Sequence, residues 1–193
     1  YSGPAWYITE GGNDTTAIGS STDPFRSIQA GINFANDADS VTVAAGTYVE
    51  NINFRGRNIK VVGEDRETTI IDGNQNGSVV TIEGASGATT TITGFTIQNG
   101  LGVGGAGIAI QGENEDEGSA TIILNNVQIL DNIIDTAADT LSGYGAGIYN
   151  LSINASITMN GGSIEGNINN AQYGEGSAIY SVGDLVLSGV SIS

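Results

Sequence analysis

The sequence predicts an all-β fold, a right-handed parallel β-helix, in which short strands stack coil upon coil. The first observation is repetition, because residues 144–149 read Tyr-Gly-Ala-Gly-Ile-Tyr and have close counterparts at 104–108 and 176–180. The second is composition, because Val, Ile and Thr are abundant and 30 Gly accompany only 2 Pro. The third is an uneven repeat length, which stacked strands tolerate and helical repeats do not.

The spacing of the repeated isoleucines distinguishes the two kinds of repeat. Ile108, Ile148 and Ile179 are separated by 40 and 31 residues, whereas helical repeats keep a nearly constant period. The surplus residues lie in tracts rich in Gly, Asn, Asp and Ser. A parallel β-helix accommodates such insertions in its turns without disturbing the strand stack. The three isoleucines are therefore predicted to form one column inside the coils.

Side-chain alternation along each strand predicts what lies beside this column. Ala109, Tyr149 and Tyr180 each follow one of the isoleucines, so they are expected on the opposite face of the same strands. Asn and Gly suit the sharp corners because both tolerate left-handed backbone angles. Three corner asparagines are expected to form side-chain ladders between coils: Asn99, Asn132 and Asn167.

The N-terminal part contains the predicted helix. Residues 6–9 read as a strand and residues 10–22 as a polar loop. Asp23 is expected to be the N-cap and Pro24 to occupy the first turn of a short capping helix around 24–36. Apolar side chains recur on one face of this segment, as in an amphipathic helix.

The remaining chain reads as strands and turns within one domain. The expected strands are at 41–43, 48–54, 59–62, 69–71 and 78–83, followed by the repeated coils. At 193 residues a single domain is expected, with the strand, loop and helix in 1–40 and the stacked coils in 41–193. Because the sequence stops in the middle of a repeat, the last coil is expected to be uncapped.

Several N-terminal motifs resemble those of a known superfamily. Tyr-Ile-Thr at 7–9, Gly-Asn-Asp at 12–14, Asp-Pro-Phe-Arg-Ser-Ile-Gln at 23–29 and Val-Thr-Val-Ala-Ala-Gly-Thr-Tyr at 41–48 resemble the opening of secreted β-helix proteins of the pectate-lyase-like superfamily. The resemblance implies secretion and a helix that caps the N-terminal mouth of the solenoid. It implies little about activity, because that superfamily includes lyases, hydrolases, adhesins and other surface proteins.

Charge and composition exclude several partners. The net charge is −16, and all 5 basic residues lie at or before Arg66. Nucleic acid and anionic membrane surfaces are therefore not expected partners, because both are bound through clustered Lys and Arg. No apolar stretch is long enough to span a bilayer. No basic-then-apolar leader opens the sequence, so either the protein is cytoplasmic or a leader was removed before Tyr1, as the secretion implied by the resemblance requires.

The sequence favours a protein that is not an enzyme. It has no His and no Cys, which excludes catalytic triads that use His and any chemistry that uses a Cys thiolate. The resemblance implies that lyases of this superfamily use a basic residue to abstract a proton, and no basic residue follows Arg66 in this sequence. Asp131 and Asp135 are the best carboxylate pair by proximity, and no catalytic residue is assigned. The acidic tract from Glu113 to Glu117 could attract calcium, a hard cation that prefers oxygen ligands.

Three hypotheses of function follow from these observations. The first is a secreted structural solenoid of the cell surface or extracellular matrix that associates with itself head to tail into a filament. Its edge would be four residues of the final segment: Leu185, Leu187, Val190 and Ile192. The alternative is a carbohydrate-binding or carbohydrate-active module, with Tyr149 and Tyr180 as sugar contacts and a polysaccharide as partner. A further alternative is a fragment of a larger adhesin.

Overall fold

A computed structural model describes residues 4–83, 87–111, 120–135 and 142–193. Its elements are short strands and one short helix, α1 (Ile28–Phe34). The strands in chain order are β1 (Ala5–Ile8), β2 (Ser40–Val43), β3 (Gly46–Val49), β4 (Ile52–Asn53), β5 (Lys60–Gly63), β6 (Thr69–Asp72), β7 (Val80–Glu83), β8 (Thr89–Thr93), β9 (Thr96–Gln98), β10 (Leu101–Gly102), β11 (Ile108–Gln111), β12 (Thr121–Leu130), β13 (Ile133–Ile134), β14 (Ser142–Tyr144), β15 (Ile148–Asn150), β16 (Ser156–Glu165), β17 (Ile168–Asn169), β18 (Tyr173–Glu175), β19 (Ile179–Ser181), β20 (Asp184–Ser188) and β21 (Ser191–Ile192).

The strands form a parallel β-solenoid of about 6 turns, which confirms the predicted fold class. Each strand pairs with strands of the preceding and following coils, as in the series β4, β7, β11, β15 and β19. Strands β12 and β16 run through a corner and join two faces into one sheet. At these corners Asn126 (φ 52°) and Gly161 (φ 66°) adopt left-handed backbone angles, as the corner composition predicts.

The interior consists of aliphatic columns, one of which is the predicted isoleucine column. Ile108 is in register with Val80 on one side and with Ile148 on the other, and Ile148 is in register with Ile179. Ile108 and Ile148 are completely buried. A second column joins the residues Ile71, Ile97, Ile129, Ile164 and Ile192. Stacking therefore buries a face that one coil alone would expose to water.

Two of the three predicted corner asparagines form a ladder. Asn132 is completely buried, and its Oδ1 accepts a hydrogen bond from the Gly100 amide at 2.8 Å. Its Nδ2 donates to Asn167 Oδ1 at 2.9 Å and to the Ile97 carbonyl at 3.3 Å. Asn99 is not part of this ladder, because the register places Gly100 next to Asn132.

Asn99 instead contributes to a network at an outer corner. Its Nδ2 donates to Asp72 Oδ2 at 2.7 Å, and Gln98 Nε2 donates to the same oxygen at 2.9 Å. The Asn74 amide donates to Asp72 Oδ1. Burial alone would raise the pKa of Asp72, but the hydrogen bonds from Gln98, Asn74 and Asn99 outweigh it and hold the pKa below its ordinary value.

The lowered pKa of Asp72 predicts a specific acid sensitivity. A carboxyl with a depressed folded-state pKa stabilises the fold above its unfolded pKa, and this stability is lost as the pH falls through the folded pKa. We expect Asp72→Asn to be less stable than the wild type at neutral pH, with the difference shrinking from about pH 4 downward. Urea unfolding over a pH series measures it, with the exposed Asp184→Asn as control. A difference that stayed constant down to low pH would contradict the prediction.

The N-terminal helix is present, but its predicted start is wrong. The N-cap is Ser27, whose hydroxyl accepts a hydrogen bond from the Ala30 amide at 3.2 Å. Asp23 lies in the preceding loop, where it accepts from the Ile18 amide. Phe25 pairs with β1 through an isolated bridge, so the backbone there is extended and not helical. The helix packs against β1, β2 and β4 at the start of the stack.

Within the described residues, no helix has the length and apolar character needed to cross a membrane.

Candidate functional site

Three tyrosines from two adjacent coils form an aromatic cluster on the outside of the solenoid. The ring centroids of Tyr149 and Tyr180 are 5.8 Å apart, with an interplanar angle of 29°. Tyr144 lies 6.1 Å from Tyr149 and 4.9 Å from Tyr180. All three side chains are partly exposed. Ring pairs at these separations stabilise one another beyond the area they bury.

The register of the strands explains why the cluster lies beside a recess. Ala109 pairs with Tyr149, and Tyr149 pairs with Tyr180, so the column predicted from the sequence is present. The coil that contains Ala109 presents a methyl group where the next two coils present aromatic rings. The backbone of Gly104 lies against Tyr149, since a Cβ added there would be 3.4 Å from Tyr149 Cδ1.

This recess is the tyrosine groove, a cavity of about 520 Å³. Its volume falls within the range of ~300–1,000 Å³ that is typical of small-molecule sites. Aromatic and small apolar groups form most of its surface, and the amide of Gln111 and three hydroxyl groups can bind polar atoms. The lining residues are Val103, Gly104, Ala109, Gln111, Ser142, Tyr144 and Tyr149.

The hydroxyl of Tyr149 stays protonated at neutral pH. Burial raises the pKa of Tyr149 above its ordinary value of 10.0, and the neighbouring Tyr180 and Tyr144 raise it further. Tyr149 therefore offers a neutral hydroxyl that can donate or accept a hydrogen bond. The groove thus combines an aromatic surface with uncharged polar groups.

The structure brings together both tyrosines named from the sequence, but it gives them different positions. Tyr149 lines the groove, whereas Tyr180 packs against Tyr149 and Tyr144. Sequence reasoning missed Tyr144 as a groove residue. A signal was available, because Tyr144 precedes the second Gly-Ala-Gly repeat at the position where Gly104 precedes the first. An isolated parallel bridge joins these two residues.

The residues of the predicted self-association edge lie on the last described coil. Leu185 and Leu187 are in register with the buried residues Ile157 and Met159 of the preceding coil. Yet they are 37% and 38% exposed. Ile192 is 50% exposed, and Val190 packs against the core. These side chains continue the interior columns, so another coil would cover them.

A second concave surface lies next to the helix, and its carboxylates accept hydrogen bonds from backbone amides. Glu50 accepts hydrogen bonds from the amides of Ile28 and Gln29 at 2.8 and 3.1 Å. Burial raises the pKa of Glu50 despite these bonds. Asp14 accepts from the amides of Arg26 and Ser27 at 2.7 and 3.0 Å. These contacts hold the start of the helix against the first coil and give this surface a structural role.

Tyr48 lines the same concave surface without offering a reactive group. Its hydroxyl donates to the Ala44 carbonyl at 2.9 Å. Burial, together with the nearby charges of Glu10, Glu50 and Glu64, raises the pKa of Tyr48 to about 12. A phenol with this pKa is protonated at physiological pH, so it does not act as a general base there.

The carboxylates considered for catalysis or metal binding are not gathered into a site in the described residues. Asp131 precedes β13 and Asp135 follows it, and both are exposed. Among residues 4–83, 87–111, 120–135 and 142–193, no group of three or more carboxylates is arranged to hold a metal ion. The tract from Glu113 to Glu117, named as a possible calcium site, lies outside the described residues.

Comparisons with known proteins identify a resemblance in the N-terminal part. A family model described as a protein of unknown function (DUF1565) matches residues 10–55, which is less than half of the chain. That family typically contains β-helix proteins. The match spans the loop, helix α1 and the first strands after it, so it includes the concave surface beside the helix but not the tyrosine groove. No curated protein and no solved structure matches the chain significantly.

Proposed function

We propose that this protein is an extracellular β-solenoid that binds a carbohydrate chain in the tyrosine groove. The observation that carries the proposal is the position of Tyr149, whose ring stands beside the recess that Ala109 leaves in the preceding coil. The C–H groups on one face of a pyranose pack well on an aromatic ring, because that sugar face is apolar and its slightly positive hydrogens meet the negative face of the ring. Tyrosine suits this contact because it combines a large apolar ring with a hydroxyl.

The polar groups of the groove support a sugar ligand over a purely apolar one. Gln111 and Ser142 lie at the groove together with the hydroxyls of Tyr144 and Tyr149. Each of these groups can both donate and accept hydrogen bonds, as sugar hydroxyls also do. A few such groups in an otherwise apolar recess give orientation and specificity to a bound ligand.

The backbone also favours a stable binding surface. Strand β15, which carries Tyr149, pairs with β11 on one side and with β19 on the other. A side chain on a central strand is held by both neighbours, and Tyr180 packs against the ring of Tyr149 from the next coil. Tyr149 is therefore held in place before the ligand arrives, which reduces the entropy lost on binding.

Substitution of Tyr149 tests the proposal. We expect Tyr149→Ala to reduce oligosaccharide affinity about tenfold or more, because loss of ~1.4 kcal/mol of ring contact corresponds to that factor. Tyr149→Phe, which keeps the ring, should retain most of the binding. Isothermal titration with cellohexaose, mannohexaose and chitosan hexamer measures the affinities, and circular dichroism checks that the variants fold.

The control is Tyr7→Ala, which removes a partly exposed tyrosine of β1, at the opposite end of the strand stack. This variant should bind as the wild type does. The proposal fails if the wild type binds none of these oligosaccharides, or if both alanine variants lose affinity equally.

The other functional hypotheses stay predictions. End-to-end assembly would use the exposed column residues of the last coil, but the next coil of a longer chain would cover the same side chains. The adhesin-fragment hypothesis and the pectate-lyase-like affiliation are compatible with a β-solenoid that binds carbohydrate. Neither hypothesis names a residue that lines the tyrosine groove.

A further inference from the structure

We infer that the tyrosine groove selects glycans with free amino groups over glycans made of uronic acids. The inference rests on the proposed function and concerns the charge of the ligand. Its basis is the pair of carboxylates that the strand register places on either side of the groove. Glu175 is paired with Tyr144, and Glu83 is paired with Gln111.

Both carboxylates are one strand away from a groove residue. Adjacent strands are ~4.8 Å apart, so each carboxylate is on the coil next to the residue it flanks. Glu83 and Glu175 are both exposed. Glu83 accepts a hydrogen bond from the side-chain amide of Asn53 at 2.7 Å. It forms no ion pair with another described residue. A ligand in the groove therefore lies between two negative charges.

Basic residues are remote from the groove along the stack. No Lys or Arg follows Arg66 in the sequence. Arg55 and Arg57 follow β4, which is two strands away from β11 with β7 in between. Two strand spacings are ~10 Å, about one Debye length at 0.1 M salt. At 0.1 M salt the positive charges of these arginines are therefore partly screened at the groove, while Glu83 lies closer to it.

The chemistry of the groove then distinguishes ligands by charge. An ammonium group on a sugar is attracted to both carboxylates and to the faces of Tyr144 and Tyr149, because aromatic rings attract cations. A uronate would face two carboxylates without a cation to compensate it. The net charge of −16 adds a long-range contribution of the same sign.

Three β-1,4-linked hexasaccharides that differ mainly in charge test the inference. They are chitosan hexamer, which carries amines, the neutral cellohexaose, and the hexamer of β-1,4-glucuronic acid. The titrations are run in a mildly acidic buffer that keeps the amines of chitosan hexamer protonated. We expect chitosan hexamer to bind about three- to tenfold more tightly than cellohexaose, and the glucuronate hexamer more weakly than both. The advantage of the amine should shrink between about 20 and 300 mM salt.

Removal of the flanking charges makes the test specific. Glu83→Gln and Glu175→Gln should reduce the advantage of chitosan hexamer while leaving the affinity for cellohexaose unchanged. The control is Glu67→Gln, which removes a carboxylate that pairs with Arg66 at 3.0 Å. It should preserve the preference.

The outcomes separate this inference from the proposed function. Tyr149-dependent binding of cellohexaose, with chitosan hexamer no tighter or the glucuronate hexamer tighter, would overturn the inference and leave the proposed function intact. If no hexasaccharide binds in a Tyr149-dependent manner, the proposed function itself is wrong. Chitosan binding that is indifferent to Tyr149→Ala is non-specific attraction to an acidic protein and contradicts the inference.

Discussion

Replacing Asn132 by leucine should destabilise the protein by about 3 kcal/mol, because it removes the three hydrogen bonds of a completely buried side chain. Asn132 connects the Gly100 amide, the Ile97 carbonyl and Asn167 in one hydrogen-bonded network. Leucine has a similar size but can neither donate nor accept. The Gly100 amide would lose its side-chain acceptor in the interior, and burying an unsatisfied backbone donor is costly.

Urea unfolding monitored by circular dichroism measures this effect. The matched control is Asn160→Ala, because Asn160 Nδ2 also donates to an asparagine of the preceding coil, Asn125, at 3.0 Å. Asn160 is exposed, so water replaces the lost partner and the cost should be below about 0.5 kcal/mol. If the two substitutions lowered the free energy of unfolding equally, burial would not explain the cost of replacing Asn132.

Asparagine ladders also show how far the sequence could predict the fold. The repeats predicted the column of Ile108, Ile148 and Ile179 correctly, since side-chain alternation and the repeated motif determine which residues face inward. Including Asn99 in the ladder was wrong because the corner is offset by one residue, which places Gly100 beside Asn132. A residue-level offset at a corner depends on backbone angles such as the φ of 57° at Asn99, which side-chain alternation does not encode.

The helix start illustrates a second limit of sequence reasoning. Asp23 followed by Pro24 is a typical helix start, and Ser27 is an equally acceptable N-cap. Tertiary contacts decide between them, because Phe25 pairs with β1 and Glu50 accepts from the amides of Ile28 and Gln29. Both partners lie outside the local segment, so local propensity alone favoured the wrong residue.

The candidate site was only partly accessible from the sequence. Alternation placed Tyr149 and Tyr180 in one column, but it did not predict a groove. The groove depends on Ala109 in the preceding coil and on Tyr144 from a separate strand. A recess arises from the difference in size between neighbouring coils, which becomes visible only when their register is known.

A second large effect is expected at Gly107, the last glycine of the first Gly-Ala-Gly repeat. Gly107→Ala should destabilise the protein by about 3 kcal/mol, at the upper end of typical overpacking costs. A Cβ at this position would lie 2.5 Å from the backbone oxygen of Gly147 in the next coil, and 2.9 Å from both Asn132 Nδ2 and Ile129 Cγ2. The strand spacing is fixed by backbone hydrogen bonds, such as that from the Ile108 amide to the Gly147 carbonyl at 2.8 Å.

The control for Gly107→Ala is Gly11→Ala, because a Cβ at Gly11 would meet no atom within 4 Å. We expect that substitution to be neutral or to stabilise the protein by up to about 1 kcal/mol, since alanine restricts the unfolded chain. If Gly107→Ala were equally harmless, the coils would have to separate locally, and hydrogen exchange at the amides of Gly107 and Ile108 would then increase. Slow exchange combined with unchanged stability would contradict the close approach of the two coils. The repeated glycine would then have to be explained by something other than the lack of space between stacked strands.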